Sequence, residues 1–446
     1  MSAGAAGLLV FLASAAVLVL EILAGRVLAP FVGVTLETYT AVIGIVLAGI
    51  ALGASWGGRV ADRMDPRRII GPLLAAGGAL ALLSVPIVLF LGPPLRGGGA
   101  ASVLILTSAG FFLPAVALSA VAPAVVKLRL RDLDQTGHVV GRLSALGTAG
   151  ALAGVFVTGF VLVALIPTRL IILAVGAALV AGGLLLHWRL KAGPAESPGQ
   201  DVRAYAALGL VGALLTGVSQ APCDVESAYY CAEVVTDERD PTRRTLILDT
   251  LRHSAVDLDD PEYLEFHYMR WFAGVVDARW PGGRPLDALH VGGGGFAMPR
   301  WLEATRPGSD SLVLEIDPAL VELNRRELGL RDSPGLDVRV GDARNAVRTL
   351  PQAAYDVVIG DAFGGLAVPW HLTTLEFAQR LRDLLRPGGV YVVNVIDGPP
   401  FDFARAELRT LHEVFAHVAV VAPRDRFDGR TGGNLVLVAS DAPLPE

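Results

Sequence analysis

Long apolar runs dominate the first 220 residues of the chain. Each approaches or exceeds the roughly 20 residues that an α-helix needs to cross the hydrocarbon core of a bilayer. We therefore predict a six-span, multi-pass α-helical bundle over residues 1–190, in the cell membrane and with the lipid bilayer as its partner. The six runs lie at 5–25, 38–57, 69–92, 101–126, 142–165 and 168–187.

Two charged residues lie near the carboxyl end of the first run. Glu21 and Arg26 either pair or reach the membrane interface, or one of them faces the bundle interior and marks a polar path or ligand site. Both interpretations remain open from the residues alone.

Basic residues are unevenly divided between the two ends of the predicted spans. One end carries Arg59, Arg63, Arg67, Arg68, Lys127, Arg129, Arg131, Arg142, Arg189 and Lys191. The loops at the other end carry few, namely Arg26, Arg96 and Arg169. The positive-inside rule therefore places the basic end and the amino terminus in the cytoplasm.

A shorter apolar run at 204–219 leaves two topologies open. It lies within residues 191–222, whose first part is rich in Pro and Gly as a linker should be. Six spans would leave the carboxyl-terminal domain in the cytoplasm, whereas a seventh span would place it outside. Cys223 and Cys231 bear on the same question. A disulfide between them would indicate an extracytoplasmic compartment, and two free thiols would fit the cytoplasm.

The rest of the chain has the pattern of a water-soluble α/β protein. Residues 223–280 predict a small β-stranded lid with two strands, at 229–235 and 245–249, and a helix at 260–277. Strands and helices then alternate through 281–446, which predicts a doubly wound, mainly parallel, Rossmann-like sheet. The predicted strands are 286–291, 311–316, 336–340, 355–360, 389–396, 416–422 and 433–439, and the helices are 297–305, 318–328, 343–350, 372–386 and 401–414.

Polar residues follow four of these strands at their carboxyl ends, where open α/β sheets bind ligands. Gly292–Gly295 forms the first turn, and its bare backbone admits a close ligand. Glu315 and Asp317 end the second strand, and either carboxylate suits a ribose diol, although Asp317 also fits a helix cap. Asp342 ends the third strand, where it can accept from an adenine amino group. Asp361 ends the fourth, beside the expected reacting atom. This order favours an S-adenosyl-type ligand over NAD.

Several segments of this half match the motifs of one family, in the family's order. They are Glu226–Tyr230, Leu246–Asp249, Val291–Gly294, Leu314–Asp317, Gly341–Asp342, Tyr355–Asp361 and Leu385–Gly389. They resemble the aminopropyltransferases (spermidine synthases), and the whole chain resembles their membrane-fused relatives. The resemblance implies a β-stranded lid on a Rossmann-like domain that binds decarboxylated S-adenosylmethionine and a small-molecule amine acceptor. It also implies that no metal is needed and that a homodimer is a partner state to expect.

The resemblance also assigns roles to single residues. The backbone of Gly292, Gly293 and Gly294 would line the donor, with Glu315 on the ribose and Asp342 on the adenine. Asp361 would deprotonate the attacking amine, and Tyr229 from the lid would shape the acceptor channel. Four further residues are candidate substrate contacts, each with a structural role as its alternative: Tyr230, His253, Trp370 and His371.

The chain departs from the family pattern in the acceptor half of the pocket. Gly295 stands where the family has an acid, the segment Asp361–Gly365 lacks the family's second acid, and Tyr229–Tyr230 replaces a Tyr-Gln pair. Losing two carboxylates from a polyamine site removes charge-assisted contacts of roughly 1.5–3 kcal/mol apiece.

These departures keep two alternatives to an aminopropyltransferase open. One is an S-adenosylmethionine-dependent methyltransferase acting on a membrane-proximal substrate. The other is a transporter or scaffold with a non-catalytic, nucleoside-sensing domain. The net charge of −6 argues against a nucleic-acid partner.

Overall fold

The structure is a computed structural model that describes residues 1–130, 136–190, 202–365 and 367–445. It divides into two compact units, Met1–Cys231 and Ala232–Glu446. Residues 191–201 of the predicted linker lie outside the described residues.

The amino-terminal unit is helical, and each predicted apolar run coincides with a helical span to within one residue at its carboxyl end. Among the described residues, six helical spans are long and apolar enough to cross a membrane. The fourth combines α4, α5 and α6 around a π-helical segment, and the fifth combines α7 and α8 around another. The helices are α1 (Ala3–Val32), α2 (Leu36–Arg63), α3 (Pro66–Leu91), α4 (Gly99–Thr107), α5 (Leu113–Ser119), α6 (Val121–Arg129), α7 (Thr136–Val157), α8 (Val163–Leu165), α9 (Thr168–Arg189) and α10 (Val202–Val218), with a 3₁₀ turn at Pro93–Leu95 and π segments at Ser108–Phe112 and Thr158–Leu162.

Glycines let these helices approach each other at backbone distance. A Cβ on Gly53 of α2 would lie 2.3 Å from the carbonyl oxygen of Val116, and a Cβ on Gly150 of α7 would lie 2.1 Å from that of Phe11. Close contact through small residues is typical of helices that pack in lipid, where burial of apolar side chains gives no advantage.

The chain beyond α10 forms a small antiparallel sheet and then the larger one. Its elements are β1 (Val225–Glu226), β2 (Cys231–Thr236), β3 (Arg243–Leu248), β4 (Leu251–Asp257), α11 (His267–Arg279), β5 (Asp287–Val291), α12 (Ala297–Thr305), β6 (Asp310–Glu315), α13 (Pro318–Glu327), β7 (Leu336–Val340), α14 (Ala343–Ala346), β8 (Tyr355–Gly360), α15 (Leu375–Leu384), β9 (Leu385–Asp397), α16 (Asp402–Val414), β10 (His417–Val421), α17 (Arg424–Phe427) and β11 (Gly433–Ser440), with 3₁₀ turns at Val347–Thr349 and Trp370–Leu372.

The predicted lid contains two strands, β1 and β4, that sequence reasoning missed. β3 pairs with β4 as well as with β2, through a tight turn at Asp249, whose φ is 56°. The two predicted strands correspond to β2 and β3, and the sheet has four strands in all. β4 (Leu-Arg-His-Ser-Ala-Val-Asp) carries polar residues at four of its seven positions, although Ser254 to Asp257 are buried. Such a sequence gives a weak hydrophobic strand signal.

The larger sheet has the order β10-β11-β9-β8-β5-β6-β7. β5 to β9 are parallel, whereas β10 and β11 pair antiparallel, so the sheet is mixed. The chain runs outward from β5 to β7 and then returns to place β8 on the other side of β5. The crevice at this reversal, beyond the carboxyl ends of β5 and β8, is where such sheets bind ligands.

Candidate active site

A glycine turn joins β5 to α12 at the reversal point of the sheet. Gly292 has a φ of +100°, and a Cβ there would lie 2.5 Å from the carbonyl oxygen of Asp361. The Gly292 amide donates to the Leu314 carbonyl at 2.9 Å, and the Asp361 amide donates to the Val291 carbonyl at 2.9 Å. Only a residue without a side chain fits between these backbones. The two hydrogen bonds tie the turn to the ends of both neighbouring strands.

Glu315, at the end of β6, accepts hydrogen bonds from the backbone of this turn. One carboxylate oxygen accepts from the amides of Gly293, at 2.9 Å, and Gly294, at 3.4 Å, and the other accepts from the Asp317 amide at 3.0 Å. Burial raises the pKa of Glu315, and the three amide hydrogen bonds oppose that rise. Glu315 therefore has a structural task, and its contact with a ribose stays a prediction.

Replacing Glu315 by Gln is expected to loosen the turn. A glutamine offers one oxygen, so its NH₂ group would face at least one backbone amide, and an unsatisfied buried donor costs about 1–3 kcal/mol. The midpoint of thermal unfolding should fall for Glu315→Gln and stay unchanged for Glu322→Gln, an exposed position on α13. Equal midpoints for the two variants would show that the hydrogen bonds to the turn contribute nothing.

Asp317 and Asp342 begin the helices that follow β6 and β7. Asp317 is buried and accepts from the Ala319 amide at 3.0 Å, so it caps α13, as one sequence interpretation expected. Asp342 accepts from the Asn345 amide at 2.9 Å, and its other oxygen lies 3.2 Å from Nε2 of His371. The Asp342 carboxylate thus keeps a partly exposed edge at the crevice, whereas Asp317 is enclosed.

Asp361 follows β8 and receives two side-chain hydrogen bonds. The Tyr268 hydroxyl donates to one oxygen at 3.0 Å, and the Asn394 amide group donates to the other at 3.0 Å. Asn394 in turn accepts from the side-chain amide of Asn434 at 3.0 Å. Burial raises the pKa of Asp361 to about 6, and the two donors oppose that rise.

Tyr268, Asn394 and Asn434 were missed by sequence reasoning. Asn394 gave a usable signal, because a polar residue in a buried apolar strand needs a hydrogen-bond partner. Tyr268 gave none, since an aromatic residue on an apolar helix is usually core. Only the fold brings helix α11 to the end of β8.

Three further candidates lie around the same crevice. His253 of β4 faces the turn, with its Nδ1 3.6 Å from where a Cβ on Gly294 would be. Burial lowers the pKa of His253 to about 4, so the imidazole is neutral at pH 7. Trp370 is 78% exposed and meets the His371 ring edge-on, with 5.8 Å between centroids. Arg344 fixes this segment by donating to the His371 carbonyl.

The remaining candidates belong to the amino-terminal unit. Tyr229 and Tyr230 have their rings 6.4 Å apart, and both backbone amides donate to Oγ of Ser227 at 3.0 Å. Their contact with an acceptor stays a prediction. Cys223 and Cys231 are joined by a disulfide, with their Cα atoms 5.6 Å apart.

The sequence of the chain is similar to that of known enzymes, although no family model matches it. A polyamine aminopropyltransferase of Vibrio vulnificus (strain CMCP6) is 30% identical over 165 residues, which are 36% of this chain and 52% of that protein. The human eEF1A lysine and N-terminal methyltransferase is 27% identical over 25% of this chain and 18% of its own length. The chain thus spans about half the length of the aminopropyltransferase relative.

One solved structure is also similar in sequence to part of the chain. A probable spermidine synthase from Corynebacterium glutamicum ATCC 13032 is 34% identical, over 48% of this chain and 78% of that one, with a TM-score of 0.46. These comparisons support a spermidine synthase-like family for the chain.

Proposed function

We propose that the carboxyl-terminal unit transfers an aminopropyl group from decarboxylated S-adenosylmethionine to a small amine acceptor, and that the helical bundle anchors it in a membrane. The observation that carries this proposal is Asp361: a carboxylate at the reversal point of the sheet, fixed by two donors and with its pKa raised to about 6.

The chemistry requires a base of this kind. An alkylammonium has no free lone pair, so a proton must leave its nitrogen before that nitrogen can attack. A new C–N bond then forms at the carbon beside the sulfonium as the C–S bond breaks, and methylthioadenosine leaves as a neutral thioether. Asp361 takes the proton. A raised pKa makes it a stronger base than an ordinary aspartate while leaving it mostly ionised at pH 7.

Asp361 retains acceptor capacity for this proton. An ionised carboxylate has about four lone-pair sites, and Tyr268 and Asn394 occupy two of them. The two donors also fix the carboxylate's orientation, and correct positioning supplies much of the acceleration in a bimolecular transfer. Because the sulfonium carries its own leaving group, the proposed step needs no metal.

The donor-binding roles follow the crevice. We assign the backbone of Gly292, Gly293 and Gly294 to the donor's central part and Asp342 to the adenine amino group. Glu315, whose oxygens already serve the turn, is left with its remaining lone pairs for the ribose. The acceptor would lie beyond Asp361, toward His253, Trp370 and His371.

Binding and turnover of the detergent-solubilised full chain test the proposal. Calorimetry with decarboxylated S-adenosylmethionine, S-adenosylmethionine and methylthioadenosine gives the donor preference. Incubation with a panel of linear diamines and triamines should release methylthioadenosine and an aminopropylated amine in equal amounts. The methyltransferase alternative, favoured by the similarity to the eEF1A enzyme, would instead release S-adenosylhomocysteine. Tight binding without any product would support a nucleoside sensor and contradict our proposal.

Replacing Tyr268 by Phe is expected to shift the pH dependence of transfer to higher pH. In the unmodified protein kcat/KM should rise with pH through an apparent pKa of about 6, as Asp361 ionises. Loss of the Tyr268 donor destabilises the ionised form. A hydrogen bond to a charged group contributes about 1.5–3 kcal/mol, so the apparent pKa should rise by about one to two units.

The matched control for this shift is Tyr263→Phe. Tyr263 donates its hydroxyl to Glu265 and not to Asp361. Its pH profile should coincide with that of the unmodified protein. A Tyr268→Phe profile that is lowered in height but unmoved along the pH axis would show that Tyr268 only packs.

A further inference from the structure

Helix α10 runs parallel to α3 within the amino-terminal unit. A Cβ on Gly209 would lie 3.6 Å from the Cβ of Ala79, and one on Gly212 would lie 3.1 Å from the Cβ of Leu82. One turn further on, the Thr216 hydroxyl donates to the Leu82 carbonyl at 3.0 Å. From Gly209 to Gly212 on α10 the contacted residue on α3 moves from Ala79 to Leu82, so the two helices run in the same direction. Helix α10 therefore begins toward the end of the bundle where α3 begins, and it ends toward the opposite end.

The chain leaves α10 at this opposite end and is fastened there. Arg169, at the start of α9, donates to the carbonyls of Ser219, at 2.8 Å, and Gln220, at 2.7 Å.

The same end of the bundle holds Glu226. Its carboxylate lies 3.2 Å from the guanidinium of Arg26, near the carboxyl end of α1, and accepts from the Thr168 amide at 3.2 Å. Arg26 also donates to the carbonyl of Ala228 at 3.0 Å. Arg26 is therefore held by a partner 200 residues further along the chain, and α1 and α9 meet the emerging chain at one end of the bundle. This end is called the docking end below.

The other end of the bundle is the basic one. Lys127, near the end of α6, pairs with Asp62 of α2 at 2.8 Å, and Arg129 donates to the carbonyl of Met1 at 3.2 Å. These contacts place the ends of α2 and α6 beside the start of α1. Of the basic residues that indicate a cytoplasmic side, Arg59, Arg63, Lys127 and Arg129 lie in the last turns of α2 and α6, and Arg67 and Arg68 follow α2 at the start of α3. The docking end carries few basic residues.

We propose that α10 is a seventh membrane span and that the carboxyl-terminal unit lies on the extracytoplasmic face. This inference rests on the membrane anchoring proposed above. The disulfide between Cys223 and Cys231 follows the docking end directly and belongs to an oxidising compartment. Beyond it, within 232–365 and 367–445, the structure shows no helix long and apolar enough to return across a bilayer.

An outward-facing site determines what must precede the reaction. The donor is a sulfonium cation that also carries an ammonium, and a charged group crosses hydrocarbon only at a large free-energy cost. A carrier-mediated transport step for an S-adenosyl donor must therefore supply this enzyme, and its acceptor is an amine present outside the cytoplasm.

Cysteine labelling of the full chain in intact cells tests the sidedness. Glu238, in the exposed turn between β2 and β3, and Met64, at the basic end after α2, are each replaced by Cys in a Cys223→Ser, Cys231→Ser background. We expect a membrane-impermeant maleimide to label Glu238→Cys in intact cells and Met64→Cys only after permeabilisation. The reverse pattern, or equal labelling of the two, would overturn the proposal.

The unmodified protein provides a second measurement that does not depend on folding without the disulfide. Its two cysteines should react with the impermeant maleimide in intact cells only after an impermeant reductant is added. Labelling that needs permeabilisation would place them inside and overturn the proposal.

Failure of this proposal can be distinguished from failure of the proposals on which it rests. Extraction of the chain by alkaline carbonate would contradict membrane anchoring itself. Failed transfer by solubilised protein would contradict the proposed chemistry, and neither result depends on which side of the membrane the unit occupies.

Discussion

Replacing Asp361 by Asn should lower kcat by about 10²- to 10⁴-fold, the usual contribution of a positioned general base. The substitution keeps the shape of the side chain but removes its ability to take a proton. Asn394 can still donate to the new amide oxygen, and the Tyr268 hydroxyl can rotate to accept from the new NH₂ group. The crevice should therefore keep its shape, and the dissociation constant of methylthioadenosine should stay nearly unchanged.

Asp342→Asn is the matched control, because it neutralises another carboxylate at a strand end of the same sheet. It should weaken nucleoside binding, since the adenine amino group loses its charged acceptor, and single-turnover transfer at saturating donor should change much less. Calorimetry and rapid-quench measurements on both variants separate the two effects. If Asp361→Asn lost binding and turnover by the same factor, Asp361 would be a binding residue and the proposed mechanism would be wrong.

The positions of the helices and strands were predictable because each half of the chain has its own pattern of apolar residues. Apolar runs of membrane-spanning length and strand-length runs ending in Gly or Asp are both local signals, and the structure has helices or strands at these places. The carboxyl ends of β5 to β8 meet at one edge for topological reasons, so Gly292, Glu315, Asp342 and Asp361 could be grouped from sequence alone.

Partnerships across the fold were not predictable in the same way. The sequence placed Glu21 near Arg26 and offered a pair between them, but Arg26 is paired with Glu226. Tyr268 and Asn394 reach Asp361 from elements 93 and 33 residues away. Such contacts depend on how helices and strands pack, and no local pattern encodes them.

The glycine turn provides the second large effect. Gly292→Ala would place a Cβ 2.5 Å from the carbonyl oxygen and 2.8 Å from the carbonyl carbon of Asp361. Backbone atoms cannot rotate away, so the ends of β5 and β8 would have to separate. A positive φ in a non-glycine residue costs about 1–3 kcal/mol, and overpacking of a filled site costs about 1–3 kcal/mol more. We expect a clearly lower unfolding midpoint and loss of detectable nucleoside binding, because the displaced backbone carries Asp361 with it.

Gly282→Ala separates the clash from the backbone strain. Gly282 has a φ of +88°, close to that of Gly292, but a Cβ there meets nothing within 4 Å. It should lower the midpoint through strain alone and leave nucleoside binding intact. The difference between the two variants then measures the contact between the turn and the end of β8. Equal effects on stability and binding would mean that this contact does not shape the site, and the assignment of the turn's backbone to donor binding would be wrong.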